Sequence, residues 1–485
     1  MKSLEKYFDF EGHDTTLTTE ISAGITTFLA MSYIIFVNPA ILSQTGMPQQ
    51  AVFLATLFAS AISTLFIGLY ANVPYALAPG MGLNAFFAYT VVFALGFTWQ
   101  EALSMVFICG VFNVIITITN IRKVLITAIP EALQHGISAG IGIFIAYIGF
   151  KNANLFEFTV SNENILSING EATTAASGEI GTLVANGGVL PALVNFTDTT
   201  TLVTVIGLML TVLLIMRGSR ISMLLGITVT TILTLFVTGF DFSQISLVDN
   251  SIVDAFRELG TTFGVIFTSE GLPSLFSQPE RIPLMLMTVF AFSLADVFDT
   301  VGTFIGTGRK TGIFSQEDED SIMNSSGNTK MERALFGDSV GTIIGAIMGT
   351  SNTTTFVESA AGIGAGGRTG MTSVVTAICF ILAAFLSPLI SIVPANATAP
   401  ALIAVGIMMM SSLREIDWDD FSEAVPAFFA SIFMGLAYSI SNGIAAAFIF
   451  YGLIKTAKGE AKEVHPIIWV SIFLFILNYI IMAII

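Results

Sequence analysis

Five carboxylates lie in or beside apolar stretches of membrane-spanning length: Asp296, Asp299, Asp338 and Glu358 inside them, and Glu131 near an end. At the centre of an inserted helix such a group costs about 2.5–3.5 kcal/mol. Each therefore needs a partner, a water-filled cavity or a proton. Glu358 stands out. It follows Gly349-Thr350-Ser351-Asn352-Thr353-Thr354-Thr355-Phe356-Val357, a run of hydroxyls and glycine that is tolerated at membrane depth only where it lines a protein-enclosed cavity. A carboxyl there can hydrogen-bond a ring nitrogen of a small molecule, and it can take up and release a proton.

Asp296, Asp299, Thr300 and Thr303 follow the i, i+3, i+4, i+7 spacing of one helical face. A polar stripe in an apolar span faces the bundle interior, either as a substrate and proton site or as a hydrogen-bond network between helices. Asp338, in Phe336-Gly337-Asp338-Ser339, either partners Glu358 or caps the start of its helix. Asn84 offers donors and an acceptor where a broken span restarts, near Leu83–Asn84; a helix cap is its other reading. Phe86, Phe87 and Phe356 are ring faces on which a planar ligand could stack, among 42 Phe that mostly pack. His13, His135 and His465 lie at span edges without metal-ligand spacing, and Cys109 and Cys379 sit far apart. No metal or cofactor is expected. Gly302–Thr311 only mimics a phosphate loop, because the Gly-Lys step is missing and no strand precedes it.

The elements that position these groups are membrane spans. The chain has 485 residues, 54% hydrophobic and 11% charged, against about 25% charged in soluble domains. No basic stripe exists for nucleic acid, and no cleavable signal opens the chain. Spans are expected near 21–42, 51–70, 75–95, 102–121, 132–150, 201–216 and 221–239. A second set follows near 283–307, 334–349, 353–366, 371–392, 398–411, 425–439 and 442–454, with a last apolar segment at 466–485. With the N-terminus inside and alternating spans, every Lys and Arg except Lys151, Arg257 and Arg281 falls in an inside loop, as the positive-inside rule demands. The side of the C-terminus stays open. Two outside loops, 151–200 and 241–282, are long, and the first is rich in Ser, Thr, Asn and Gly. The first carries a chance-level glycosylation pattern at Asn195-Phe196-Thr197. The inside loop 308–333 carries the solvated acidic run Gln316–Asp320.

The third span is interrupted like the tenth. In Ala78-Pro79-Gly80-Met81-Gly82, Pro79 bars Ala78 from the helical region. Seven spans separate the two breaks, so they enter the membrane from opposite sides. Paired interruptions of this kind point to an inverted-repeat transporter with its site between the breaks.

Four motifs then stand together: Phe8-Asp9-Phe10-Glu11-Gly12-His13, Ala78–Phe87, Ala295-Asp296-Val297-Phe298-Asp299-Thr300-Val301-Gly302-Thr303 and Thr353–Gly362. In these the chain resembles the AzgA-like branch of the nucleobase:cation symporter-2 family, over nearly its whole length. The resemblance implies an all-α polytopic membrane protein of the uracil-permease fold: two inverted seven-span repeats with two short strands at broken spans 3 and 10. It implies a core domain (1–131 and 283–392) and a gate domain (132–282 and 393–485). Glu358 takes the span-10 binding role, and Asp296 the span-8 role with Asp299 as rival. Asp338 matches the acidic residue of span 9 and Asn84 a polar residue of span 3. Thr300 falls where some relatives carry His. Leu83, Phe356 and Val357 complete the expected substrate-binding set, and Glu358, Asp296, Asp299 and Asp338 are the proton-coupling candidates. The implied activity is import of hypoxanthine, guanine or adenine across the cell membrane by proton symport, not catalysis. An anion carrier or channel of the same architecture is the alternative. A homodimer is left open.

Overall fold

The computed structural model describes residues 2–119, 128–159, 165–168, 183–185, 190–194, 196–239, 252–315, 318, 329–390 and 392–484. Asn195 of the glycosylation pattern and all of the acidic run except Asp318 lie outside the described residues.

The first half opens with α1 (Lys2–Phe8), α2 (Leu17–Met31), α3 (Ile34–Leu42) and α4 (Gln49–Ala71). Strand β1 (Leu77–Pro79), α5 (Met81–Ala85) and a wide-turned segment Phe86–Ala94 make up the third span. Then come α6 (Trp99–Ile118), α7 (Glu131–Asn152), α8 (Thr199–Met216), α9 (Ser222–Val237) and the short α10 (Ile252–Thr262). The second half runs α11 (Ile282–Thr311), α12 (Lys330–Met348), a strand at Thr353–Thr355, α13 (Ser359–Gly364), α14 (Gly370–Leu382), α15 (Ala395–Met409), α16 (Phe421–Phe428), α17 (Ile440–Ala457) and α18 (Pro466–Ile484). Among the described residues nine helices are long and apolar enough to cross a membrane.

The packing follows two groupings. In one, α12 lies against α4 and α6, and α14 against α2 and α4. In the other, α15 lies against α7, α8 and α9, and α16 against α7 and α17. Small residues allow the closest approaches: a Cβ on Gly142 would stand 2.8 Å from the Gly406 carbonyl, and one on Gly406 2.5 Å from that of Gly142. The C-terminal α18 packs on α17 of the second grouping and on α11, which itself lies against α6 of the first.

Several sequence expectations need correction. The two outside loops hold secondary structure of their own. In the first, β2 (Phe156–Thr159) pairs with β5 (Leu190–Leu193), and β3 (Ile165–Ile168) with β4 (Leu183–Ala185). The strand at Thr353–Thr355 is thus β6, and the strands are not confined to the two breaks. Pairing partners 15 or more residues apart leave no local pattern to read. In the second loop α10 lays Ala255 against α4, with Phe256 5.7 Å from Phe58. The third span restarts at Met81 with Gly80 as its cap, so Asn84 lies inside the helix and is no cap. The start of α12 is closed by a Thr329–Glu332 capping box, so Asp338 is no cap either. Residues 302–311 are helical throughout.

Candidate functional site

The two breaks meet. Strands β1 and β6 pair antiparallel, Leu77 opposite Thr355, Ala78 opposite Thr354 and Pro79 opposite Thr353. Gly80 N donates to Asn352 O at 2.9 Å and Phe356 N to Ala76 O at 3.0 Å, carrying the pairing one step beyond each end. Pro79 has no N–H, which a two-stranded edge tolerates. Three consecutive β-branched threonines favour extended backbone over helix. All six strand residues are buried, so every backbone group here needs a partner.

Neighbouring spans supply those partners. On the β1 side, Leu77 N donates to Thr64 Oγ1 at 2.9 Å and Thr64 Oγ1 donates to Leu77 O at 3.1 Å. On the β6 side, Asp338 Oδ1 accepts from Thr355 N and Thr355 Oγ1, both at 2.8 Å. Thr300 Oγ1 lies 2.8 Å from Thr354 Oγ1 and ties α11 to the strand. Asn84 braces the two breaks: its Nδ2 reaches Pro79 O at 3.4 Å and its Oδ1 accepts from Ser351 Oγ.

The carboxylates divide into two kinds. Asp296 is fully buried; its Oδ2 accepts from Asn113 Nδ2 at 2.9 Å and Thr342 Oγ1 at 3.0 Å, while Oδ1 has no hydrogen-bond partner among the described residues. Asp338 is buried beside β6. Asp299 and Glu358 are only half-buried, and Asp299 lies within Coulombic reach of Glu358 and Asp338. The stripe on α11 is therefore split: Asp296 and Thr300 turn into the packed interior, and Asp299 sits at its edge with Glu358. Glu358 Oε1 accepts from Tyr33 Oη at 2.5 Å. Val357, next to it, is 53% exposed, whereas Leu83 and Phe356 are buried at 2% and 5%. Phe86 packs on Phe292 at 4.6 Å, and Phe87 is fully buried. Among the described residues no three His, Cys, Asp or Glu side chains cluster as metal ligands would.

Residues 18–446 match the family profile labelled Xan_ur_permease, described as a permease family. The chain belongs to the nucleobase:cation symporter-2 permeases. It is 38% identical over 486 residues to the guanine/hypoxanthine permease PbuG of Bacillus subtilis, covering 98% of this chain and 99% of that one. It is 36% identical over 475 residues to the adenine permease AdeP of Escherichia coli, covering 98% and 95%. Among solved structures, the transmembrane domain of the cyanobacterial bicarbonate transporter BicA superposes with a TM-score of 0.59 at 15% identity, covering 88% of this chain and 97% of that one. This permease is thus a multi-pass membrane carrier of the uracil-permease-like fold, not an enzyme.

Sequence reasoning about the permease missed the partners of its carboxylates, Tyr33, Asn113 and Thr342, and the partner of β1, Thr64. None is costly enough in hydrocarbon to draw notice, and each meets its partner only through the fold.

Proposed function

We propose that this permease imports purine nucleobases across the cytoplasmic membrane by proton symport, with its N-terminus inside. The observation that carries the reading is the half-buried Glu358 directly after β6, with Asp299 within Coulombic reach of it. A neutral purine presents alternating donors and acceptors on a planar edge, and carboxyl oxygens with strand-flanking polar groups complement such an edge. The names of the relatives support purines as the cargo. Asp299 and Glu358 are the substrate-facing pair in this reading. Asp296, bonded through Oδ2 to Asn113 and Thr342, ties α11 to α6 and α12. Leu83, Phe356 and Thr300 shape the walls.

Carboxyls within Coulombic reach of one another gain from taking up a positive charge. That favours coupling to protons, with Glu358, Asp299, Asp296 and Asp338 as carriers, and disfavours an anion as cargo. The helices around α4 and α12 form the core in this scheme, and those around α7 and α15 the gate that moves against it. At one end the groupings touch through Lys151, whose Nζ lies 5.3 Å from the ring centre of Tyr89 and 5.6 Å from that of Tyr438.

Uptake of labelled hypoxanthine, guanine, adenine, xanthine and uracil into inverted and right-side-out vesicles tests the reading, with and without an uncoupler. Saturable accumulation of purines that the uncoupler abolishes is expected. Accumulation that persists without a proton gradient, or the absence of purine uptake, overturns it.

A further inference from the structure

Span 1 breaks at Ser32-Tyr33 between α2 and α3, and Tyr33 is 1% exposed there. Its hydroxyl carries one proton and reaches one oxygen 325 residues away, Glu358 Oε1. No other side chain donates to Glu358 among the described residues. Short contacts of a hydroxyl to a carboxylate are the strong, directional kind.

The pair is held from below. Helix α13 follows Glu358 and presses on α2, where a Cβ on Gly362 would stand 2.6 Å from the Ala23 carbonyl and 2.0 Å from Thr27 Oγ1. Only a glycine permits that approach, which packs α13, starting directly after Glu358, tightly on α2. Oε1 is occupied by Tyr33 and the backbone N–H of Glu358 also donates to the carboxyl, which leaves Oε2 with acceptor capacity in a half-buried residue whose neighbour Val357 is 53% exposed.

We propose that Tyr33 is a positioning residue of the nucleobase site, holding Oε1 of Glu358 so that Oε2 alone is presented to a single ring N–H of the base. The inference rests on the purine reading above. A carboxylate held at one oxygen cannot swing to meet a substrate in several poses, so the bond orders the site before the base arrives.

The test compares uptake kinetics of the wild type, Tyr33→Phe and Ser32→Ala at equal membrane abundance, with the melting temperature of each purified protein. Tyr33→Phe keeps the buried ring and loses only the donor. It is expected to raise KM for hypoxanthine about tenfold, as loss of a hydrogen bond to a charged group does, with Vmax within about twofold. Ser32 donates only to Leu29 O at 2.9 Å, so Ser32→Ala loosens the same break and should keep the wild-type KM. An unchanged KM in Tyr33→Phe overturns the proposal. So does a loss confined to Vmax and melting temperature, or an equal rise of KM in Ser32→Ala. A wild type that carries no purine defeats the functional reading instead; a wild type that carries purine with an unaltered Tyr33→Phe defeats only this inference.

Discussion

The two broken spans do the same structural job with different chemistry. In the first half, β1 is held by Thr64 from the second span, a neutral hydroxyl that both accepts from and donates to Leu77. In the second half, β6 is held from α12 by Asp338, a carboxylate accepting from Thr355. Leu77 and Thr355 are opposite one another in the pairing. Holding a strand end therefore needs only a well-placed oxygen, and an ionisable group at Asp338 exceeds that need. The restarts differ too. Gly80 caps α5 directly after β1, whereas Phe356, Val357 and Glu358 intervene before α13. Of those extra residues, Val357 is 53% exposed and Glu358 half-buried. One half is built as a brace, and the other carries the ionisable chemistry.

Breaking this asymmetry should cost most at Glu358. Glu358→Gln replaces an oxygen acceptor with an amide donor facing the base, and it should lower Vmax/KM for hypoxanthine on the order of 100-fold, as losses at buried charged hydrogen bonds do. Asn84→Ala, at the matching restart of the first half, removes only the bonds to Pro79 and Ser351 and should cost a few-fold at most. Equal losses in labelled-purine uptake would refute the division of labour. Next in size is Asp338→Ala, which strands the buried Thr355 N–H and should destabilise by about 2–3 kcal/mol. Asp338→Asn keeps an acceptor and should lose less than half of that in denaturant melts. Gly362→Ala drives a methyl into Ala23 O and Thr27, at about 1–3 kcal/mol of overpacking. It should also raise KM for hypoxanthine, because it lifts Glu358 off Tyr33; an unchanged KM would mean that α13 is not what sets the carboxylate. The smallest effect belongs to Thr64→Val, about 1 kcal/mol for a neutral hydroxyl, read as a melting shift with KM unaltered. A KM change there would show that the brace also touches the cargo.

In the first turn of the first span, Glu20 shows a carboxylate with a structural part. It is fully buried and accepts from Arg368 N at 2.9 Å, Thr372 N at 3.1 Å and Thr372 Oγ1 at 2.5 Å, anchoring the turn into α14 to the start of α2. Near the head of α2 it reads as an ordinary first-turn acid, and nothing local reveals its partners nearly 350 residues on.

The sequence by itself determined where helices cannot continue. Pro79 with Gly80, and the polar run before Glu358, are local obstacles to helix in an apolar chain, and their odd separation of seven spans placed them on opposed paths. It also marked the costly side chains, since a carboxylate among apolar residues is conspicuous wherever it points. Only the tertiary structure decided which groups meet: β1 with β6, Thr64 with Leu77, Asp338 with Thr355, Tyr33 with Glu358, and Asp299 rather than Asp296 at the half-open edge. Asp296 and Asp299 are three residues apart on one helix, less than a full turn, so their directions diverge, and the packing of α6, α12 and β6 chooses which one is buried. Breaks follow from local backbone chemistry, whereas partners follow from the sum of long-range packing that no short stretch contains.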